Sequence, residues 1–503
     1  MEESLSHRTL KNALWQVGNL GWVTVLNFFI TPLLLKKLGV ADYGVYILVL
    51  TVISFLSLVE LGTGAGFMRS FLEYSSKGEH ALREKLINTF FTYWIATGIA
   101  GSLALVAVSG FIVRGFHIQS LDARMALYFG AGYFFVTMAS ALFLGIVSAL
   151  QRFDIVGKAV LVQNTVLNAL LVLCVVFRPS VSYLLFATFG VGALNLVLYF
   201  VFTKQVFPEL RFRFGFDAGV FGAAFHFSFF NFINSLANNA VLQVDRFFIS
   251  RMLSPAALPL YVVPNNLSQK IYSVSSSAGS VLFPVASELS FREEKQSFVR
   301  AYQRSMRAAI VFSVLSGVTM LLYGYKLLLF WIGKEFADQG MALLYWFVPT
   351  YVMLSMSVVL NNFFLGLGKA KFLAMASLGM AVLNVAGLLV LIPRYGISGA
   401  AMAYLLCVLP VLGIMLYFER AELAFRGQVL FYGKLFARLA ILSILLGAGS
   451  LFLSGLIGNV WAALVVMAFS FAGIMAVYAL PGFAEREDVE TFMGFFKKLI
   501  HER

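Results

Sequence analysis

The residues able to do chemistry in this chain are amides and a few charges set inside long apolar runs. Asn12, Gln16, Asn19 and Asn27 step along one helical face of the first run. Asn231, Asn234, Asn238 and Asp245 do so in a later run, at spacings of three, four and seven, and Asn266, Gln269, Lys270 and Ser273 follow in the next. Polar side chains are costly in hydrocarbon and face the protein interior or water. Three stripes at helical spacing therefore predict three helices lining one wet cavity; the competing reading is hydrogen bonding that only holds helices together. Lys270 sits near the middle of its run, too deep to snorkel easily. An ammonium there keeps its proton only if hydrated or paired, which suits a cavity that receives anions; Glu60 is the alternative, a structural partner. Arg246 and Asp245 lie near the outer end of their run and, as sequence neighbours, point about 100° apart. Arg69 sits at the inner end of the second run. Glu60, in the inner half of that run, is a candidate for proton or cation coupling, as is Asp245.

Other patterns carry no chemistry. Gly62, Gly64 and Gly66 alternate but follow no strand and lack the lysine of a phosphate loop. They read as room for a kink or a close helix approach. His226 has no acid or nucleophile at catalytic spacing, no Walker pair exists, and Cys174 and Cys407 sit singly in apolar runs with no metal spacing. No catalytic residue, metal or cofactor is expected, and no nucleic-acid partner.

The elements that must position these residues follow from composition. Of 503 residues, 60% are hydrophobic and 12% charged, with a net charge of +13. So few charges cannot cover soluble domains of this length, and disorder needs low hydrophobicity. The expected class is an all-α polytopic membrane protein, because unalternating runs such as Leu439–Leu446 and Val385–Ile392 argue against a barrel. With about 20 apolar residues needed per span, the chain holds about fourteen candidates. They lie near 12–35, 44–68, 86–113, 125–150, 156–177, 181–203, 219–243, 258–284, 308–330, 341–365, 372–392, 397–418, 435–457 and 459–480. A basic linker, Pro208–Asp217, separates the sixth and seventh. The first run is too long for the core of a cleavable signal and is expected to stay as a span. Most of the 37 Lys and Arg fall in alternate loops, which predicts both termini inside. The tail Glu485–Arg503 reads as an amphipathic helix on the inner surface.

Shifted by 215 residues, Leu38 meets Leu253, Tyr46 meets Tyr261 and Glu73 meets Glu288; Gln16 falls on Asn231 and Asn19 on Asn234. Val166-Leu167-Asn168 and Phe143-Leu144-Gly145 return as Val382-Leu383-Asn384 and Phe364-Leu365-Gly366. A six-helix repeat keeps its orientation in the membrane, so the halves would be related by an axis along the normal. The expected organisation is an N-lobe over 1–207, a C-lobe over 208–423, and two further helices with the tail over 424–503.

Several ordered motifs resemble those of a known family. They are Pro32, Leu38-Gly39, Asp42-Tyr43-Gly44 and Glu60-Leu61-Gly62; Val244 to Ser250, then Tyr261 and Leu282-Phe283-Pro284; and Gly366-Leu367-Gly368-Lys369, Asn384 and Leu391 to Ala401. Together they resemble the polysaccharide biosynthesis (O-antigen type) flippases of the multidrug/oligosaccharidyl-lipid/polysaccharide exporter superfamily, over at least residues 10–420. The resemblance implies two six-helix lobes plus two C-terminal helices, alternating access, and no enzymatic activity. It implies a polyprenyl-diphosphate-linked oligosaccharide moved from inner to outer leaflet of a bacterial or archaeal cytoplasmic membrane. Lys270, Arg246 and Arg69 would meet the diphosphate or acidic sugars. Asn19, Asn231, Asn234, Asn238 and Gln269 would line the cavity, with proton or sodium coupling through Glu60 or Asp245 left open. Implied partners are the lipid-linked glycan, membrane lipid, a polymerase and glycosyltransferases, around a monomer. The rivals are a cation-coupled multidrug exporter of the same superfamily, a lipid-II-type flippase, and a membrane glycan polymerase or glycosyltransferase.

Overall fold

The computed structural model describes residues 5–480, except 119–121, 151, 209, 211, 280–281, 283–285, 288–294, 368 and 426, and except the side chains of 5–17, 20, 59, 61–62, 153–154, 227–228, 230–231, 234–235, 237–238, 240, 277–279 and 370. The expected amphipathic tail, Glu288, and the side chains of Asn12, Gln16, Asn231, Asn234 and Asn238 lie outside these. The described residues are helical apart from short connections, with no strand among them. The helices are α1 (Leu5–Leu38), α2 (Val40–Leu56), α3 (Leu58–Ser76), α4 (His80–Gly115), α5 (Ala123–Ala149), α6 (Phe153–Phe177), α7 (Val181–Val206) and α8 (Ala218–Met252). They continue with α9 (Ala257–Gly279), α10 (Lys295–Trp331), α11 (Lys334–Gly366), α12 (Ala370–Leu406), α13 (Leu409–Tyr417), α14 (Gln428–Leu453) and α15 (Val460–Tyr478).

Ten helical segments among the described residues are long and apolar enough to cross a membrane. The difference from about fourteen expected spans has local causes. The second span is broken at Ser57 into α2 and α3. α8 and α9 carry the amide stripes that lower their hydropathy. Lys371–Glu422 runs as one 52-residue segment, yet turns sharply within it at Gly396 (φ 58°, ψ −136°). Only glycine takes such a backbone without strain. Gly399 then packs so closely that a Cβ would lie 2.1 Å from the Leu391 carbonyl oxygen. The Arg-Tyr-Gly-Ile-Ser-Gly stretch is thus a tight reversal between two spans' worth of helix.

The chain divides into two compact units, Met1–Pro259 and Leu260–Arg503. Each is built around one central helix. In the first, α5 packs on α4, α7, α3 and α2, while α1 lies on α6, and α8 on α3 and α4. Small residues let these helices approach: a Cβ on Gly101 would meet the Phe134 ring at 2.3 Å, and one on Gly130 would meet Ile53 at 3.0 Å. Phe67, Phe71, Phe90 and Trp94 form an aromatic core, with ring centroids 5.1 Å apart for Phe90–Trp94 and 5.2 Å for Phe67–Phe90. In the second unit α11 is central, packing on α10 and α12, while α15 and α14 lie on α10. Pairs from the sequence repeat share their burial: Tyr46 and Tyr261 are both buried, as are Asn168 and Asn384. Gly145, in the last two turns of α5, and Gly366, at the end of α11, both make close contacts, with Phe67 and Ala286 respectively.

Large apolar side chains stand outward from several helices: Phe111 is 80% exposed, Phe452 84% and Phe469 74%. In water such a surface would drive association; in a bilayer it is the natural coat. The two cysteines behave as small packing residues, Cys407 buried and Cys174 partly so.

Candidate functional site

In the first unit the polar site forms where the C-terminal half of α8 meets α2. On α8, Asn239, Gln243 and Arg246 share one face, while Val241, Asp245 and Ile249 share the opposite, buried one. The Gln243 amide donates to Ser54 Oγ (2.9 Å) and Asn239 Oδ1 (3.2 Å). Arg246 Nη1 lies 3.5 Å from Thr51 Oγ1, and its charge is felt at the Tyr43 phenol, which also neighbours Thr31 of α1. Phe55 and Phe247, with ring centroids 4.9 Å apart, close the next turn. Asp245 is 1% exposed and turned away; its Oδ1 accepts from the Arg246 backbone amide at 2.8 Å. Arg246 is therefore a half-buried cation with the hydroxyls of Thr51 and Tyr43 near it. Among the described residues of its unit it makes no ion pair.

Helix α2 is held at its start by a close approach. A Cβ on Gly44 would fall 1.9 Å from the Pro255 carbonyl oxygen, so only glycine lets α2 reach the turn that follows α8. At Ser57 the chain breaks and restarts as α3, which puts Glu60 in the first turn. Beside it Gly64 leaves space: its Cβ would meet nothing but Glu60 Oε1, at 3.7 Å. The Glu60 carboxylate has no hydrogen bond or ion pair among the described residues of its unit.

Arg69 is exposed near the other end of α3, on a stripe with Glu73 and Lys77, which pair at 2.6 Å. Thr51, beside Arg246, lies on α2, whereas Arg69 lies on α3, beyond the break at Ser57. Asn19 faces α6, where its amide donates to the Gly157 carbonyl at 3.1 Å; Trp22, one turn on, donates to Thr165 at 2.8 Å. These bonds join α1 to α6.

In the second unit α9 carries the other polar face. Leu258, Tyr261, Asn265 and Ser268 are buried, and the Tyr351 hydroxyl of α11 donates to Asn265 Oδ1. On the opposite side Asn266, Lys270 and Ser273 fall within about 60° of one another at 100° per residue. Asn266 is exposed and Lys270 half-exposed. Gln269 stands at the border, its carbonyl accepting from Ser273 at 3.0 Å. A polar stripe opposite a packed face is what a helix bordering a wet space requires.

Two features escaped the sequence reading. Thr51, Ser54 and Gln243 complete the Arg246 environment, yet singly each is an ordinary residue of an apolar run. Glu419, expected at the start of a solvated loop, is fully buried in a π-helical turn, Phe418–Glu422. It accepts from Tyr302 of α10 at 2.9 Å and from Tyr432 of α14. An apolar cavity of about 420 Å³ lies above Tyr432, lined by Val318, Val348, Pro349, Met353, Met415 and Phe436 among others.

A family model described as polysaccharide biosynthesis protein matches residues 9–290, more than half the chain. The chain belongs to this family. A second model, MatE, matches residues 231–390. A putative O-antigen transporter of Shigella flexneri is 19% identical over 408 residues, covering 78% of this chain and 94% of its own. Among solved structures, the lipid II flippase MurJ in an inward closed conformation superposes with a TM-score of 0.70 at 14% identity, covering 92% of this chain and 98% of its own. An inward-facing multidrug resistance MATE family transporter gives 0.62 at 10% identity, covering 80% and 97%. This member of the family is therefore a multi-span membrane protein with the fold those transporters share.

Proposed function

We propose that the protein is a flippase that carries a polyprenyl-diphosphate-linked oligosaccharide from the inner to the outer leaflet of the cytoplasmic membrane by alternating access, for cell-surface polysaccharide assembly. The observation that carries this reading is Arg246, a half-buried guanidinium with the Thr51 and Tyr43 hydroxyls near it; a diphosphate is the kind of group such a site binds. The amide and hydroxyl stripes on α8 and α9 suit sugar hydroxyls, and Lys270 supplies a second cation. In this reading the protein has about fourteen spans, arranged as a lobe over 1–207, a lobe over 208–423 and two added helices, with both termini inside. Arg69, on α3 rather than on the helices that hold Arg246 and its hydroxyl neighbour, would meet the head group at a different stage from Arg246. With the inside negative, moving an anion outward is downhill by about 2.3 kcal/mol per charge per 100 mV, so ATP is not required.

The test is complementation of a flippase-deficient strain. Lys270→Ala is expected to abolish export of the lipid-linked glycan at normal protein abundance, and Arg246→Ala to lower it about 10- to 100-fold. Wild-type complementation by both would end the anion-site assignment. The MatE match and the Glu60 carboxylate, without a hydrogen bond or ion pair among the described residues of its unit, favour a second reading, a cation-coupled drug exporter. Efflux of a cationic dye by the purified protein in vesicles, lost in Glu60→Gln and kept in Arg246→Ala, would establish that reading instead.

A further inference from the structure

In the segment joining α7 to α8, expected as a basic linker, residues 212–217 form a strap laid along α4. The Arg213 amide donates to Asn88 Oδ1 (2.9 Å), the Gly215 amide to Thr92 Oγ1 (2.9 Å) and the Asp217 amide to Thr89 Oγ1 (3.1 Å). Thr92 Oγ1 also lies 3.0 Å from the Gly215 carbonyl oxygen. Every second residue is bonded, the period of an extended strand, and three α4 side chains stand in for the neighbouring strand. Asp217 then caps α8, its Oδ1 accepting from the Gly219 and Val220 amides at 3.0 Å each.

Phe212 turns inward against Phe91 and Phe143, with Lys204 over its ring at 5.4 Å. Phe214 and Phe216 are 74% and 55% exposed, each keeping a ring contact, with Phe91 at 5.2 Å and Phe221 at 5.3 Å respectively, and Arg213, next to Phe214, is exposed too. Lys85, 3.8 Å from Asp217, and Arg83, over the Phe207 ring, add cations at the same end of α4. Non-helical backbone survives near hydrocarbon only where protein groups satisfy its amides. Here they are satisfied at alternate positions, beside two largely exposed aromatics and an adjoining cation. Aromatic rings with adjoining Arg and Lys are the composition of a membrane–water boundary.

We propose that the strap, residues 212–217, is an interfacial anchor for an anionic leaflet: Phe214 and Phe216 enter the boundary between head groups and acyl chains, and Arg213 meets lipid phosphate. Through Asp217 the anchor ties the start of α8 to the bilayer surface. The inference does not depend on the cargo. It is tested on the full chain with Cys174 and Cys407 changed to Ser, spin-labelled at Phe214→Cys, Phe216→Cys or, as an exposed control, Lys77→Cys, in nanodiscs of phosphatidylcholine with or without phosphatidylglycerol. At 214 and 216 relaxation by oxygen is expected to exceed that by a water-soluble nickel chelate several-fold, with the reverse at 77. Adding phosphatidylglycerol should deepen both labels, and Arg213→Gln should remove that increment. Labels at 214 and 216 that meet the chelate as 77 does would overturn the anchor. So would labels shielded from both reagents, which would mean a protein surface covers the strap. Depth indifferent to phosphatidylglycerol would overturn the anionic preference. Size-exclusion profiles identify folded variants, and 214 and 216 are read independently, so loss of one leaves the other.

Discussion

Two polar regions of this molecule use similar residue types to opposite ends. Between α2 and α8, Arg246 is half-buried among Thr51, Ser54, Gln243 and Tyr43, and its neighbour Asp245 points to the other side of the helix. In the second unit Glu419 is fully buried, one carboxylate oxygen accepting from both Tyr302 and Tyr432. That acid joins α10, the π-helical turn and α14, with Phe418 packed on Tyr302 and Phe364 at centroid distances of 5.4 and 4.3 Å. The first charge has hydroxyls that orient it and none that neutralise it; the second is clasped where no ligand reaches. A buried charge whose hydrogen bonds are made within the protein holds helices together, whereas one left half-exposed among neutral groups is placed to bind.

The contrast breaks most visibly at Arg246. Arg246→Ala should lower transport per folded molecule about 10- to 100-fold, since a hydrogen bond to a charged group is worth about 1.5–3 kcal/mol. Thermal midpoints should hardly move, and Arg246→Lys should keep part of the rate. Unchanged transport would place Arg246 with the structural charges. Next in size is Gly44→Ala. With 1.9 Å between a new Cβ and the Pro255 carbonyl oxygen, backbone must shift, and overpacking costs about 1–3 kcal/mol. Reduced yield and a lower melting temperature are expected, with transport falling only in proportion to folded protein. At the Glu419 node the pattern is reversed relative to Arg246. Tyr302→Phe or Tyr432→Phe each strips a bond from a buried carboxylate, a loss of about 1–3 kcal/mol that should appear in thermal stability and leave transport per molecule intact.

The smallest effect is expected at Asp217, an exposed carboxylate of a third kind. The amide of Val220, with lesser help from Gly219 and Lys85, holds its pKa below the ordinary 3.8. A depressed carboxylate stabilises the fold above its unfolded pKa, and that contribution disappears as pH falls through the folded value. The melting-temperature difference between wild type and Asp217→Asn should therefore be constant at neutral pH and shrink only in acid, below the ordinary value. A difference that shrank near pH 7 would show that Asp217 is not the group responsible.

Much of the fold was legible along the chain because burial in a bilayer is written locally. Twenty or so apolar residues make a span whatever they touch, and the Gly396 reversal is announced by Pro393, Gly396 and Gly399 within a few positions. The family motifs and the repeat were legible for the same reason, as ordered short strings. The stripes on α8 and α9 announced polar faces by spacing alone. What each polar residue does with its face was decided by tertiary structure. The partners of Arg246, Glu419 and Arg213 stand 195, 117 and 125 residues away. No local pattern encodes such distances, so helical spacing could not separate Asn19, bonded to the α6 backbone, from Gln243, bonded beside Arg246. The sequence by itself determined that the chain lives in a membrane, where it turns and which faces are polar, because hydropathy and backbone sterics act over a few residues. Only the packed structure decided which charges are held and which are left open, because a hydrogen bond needs two groups in one place.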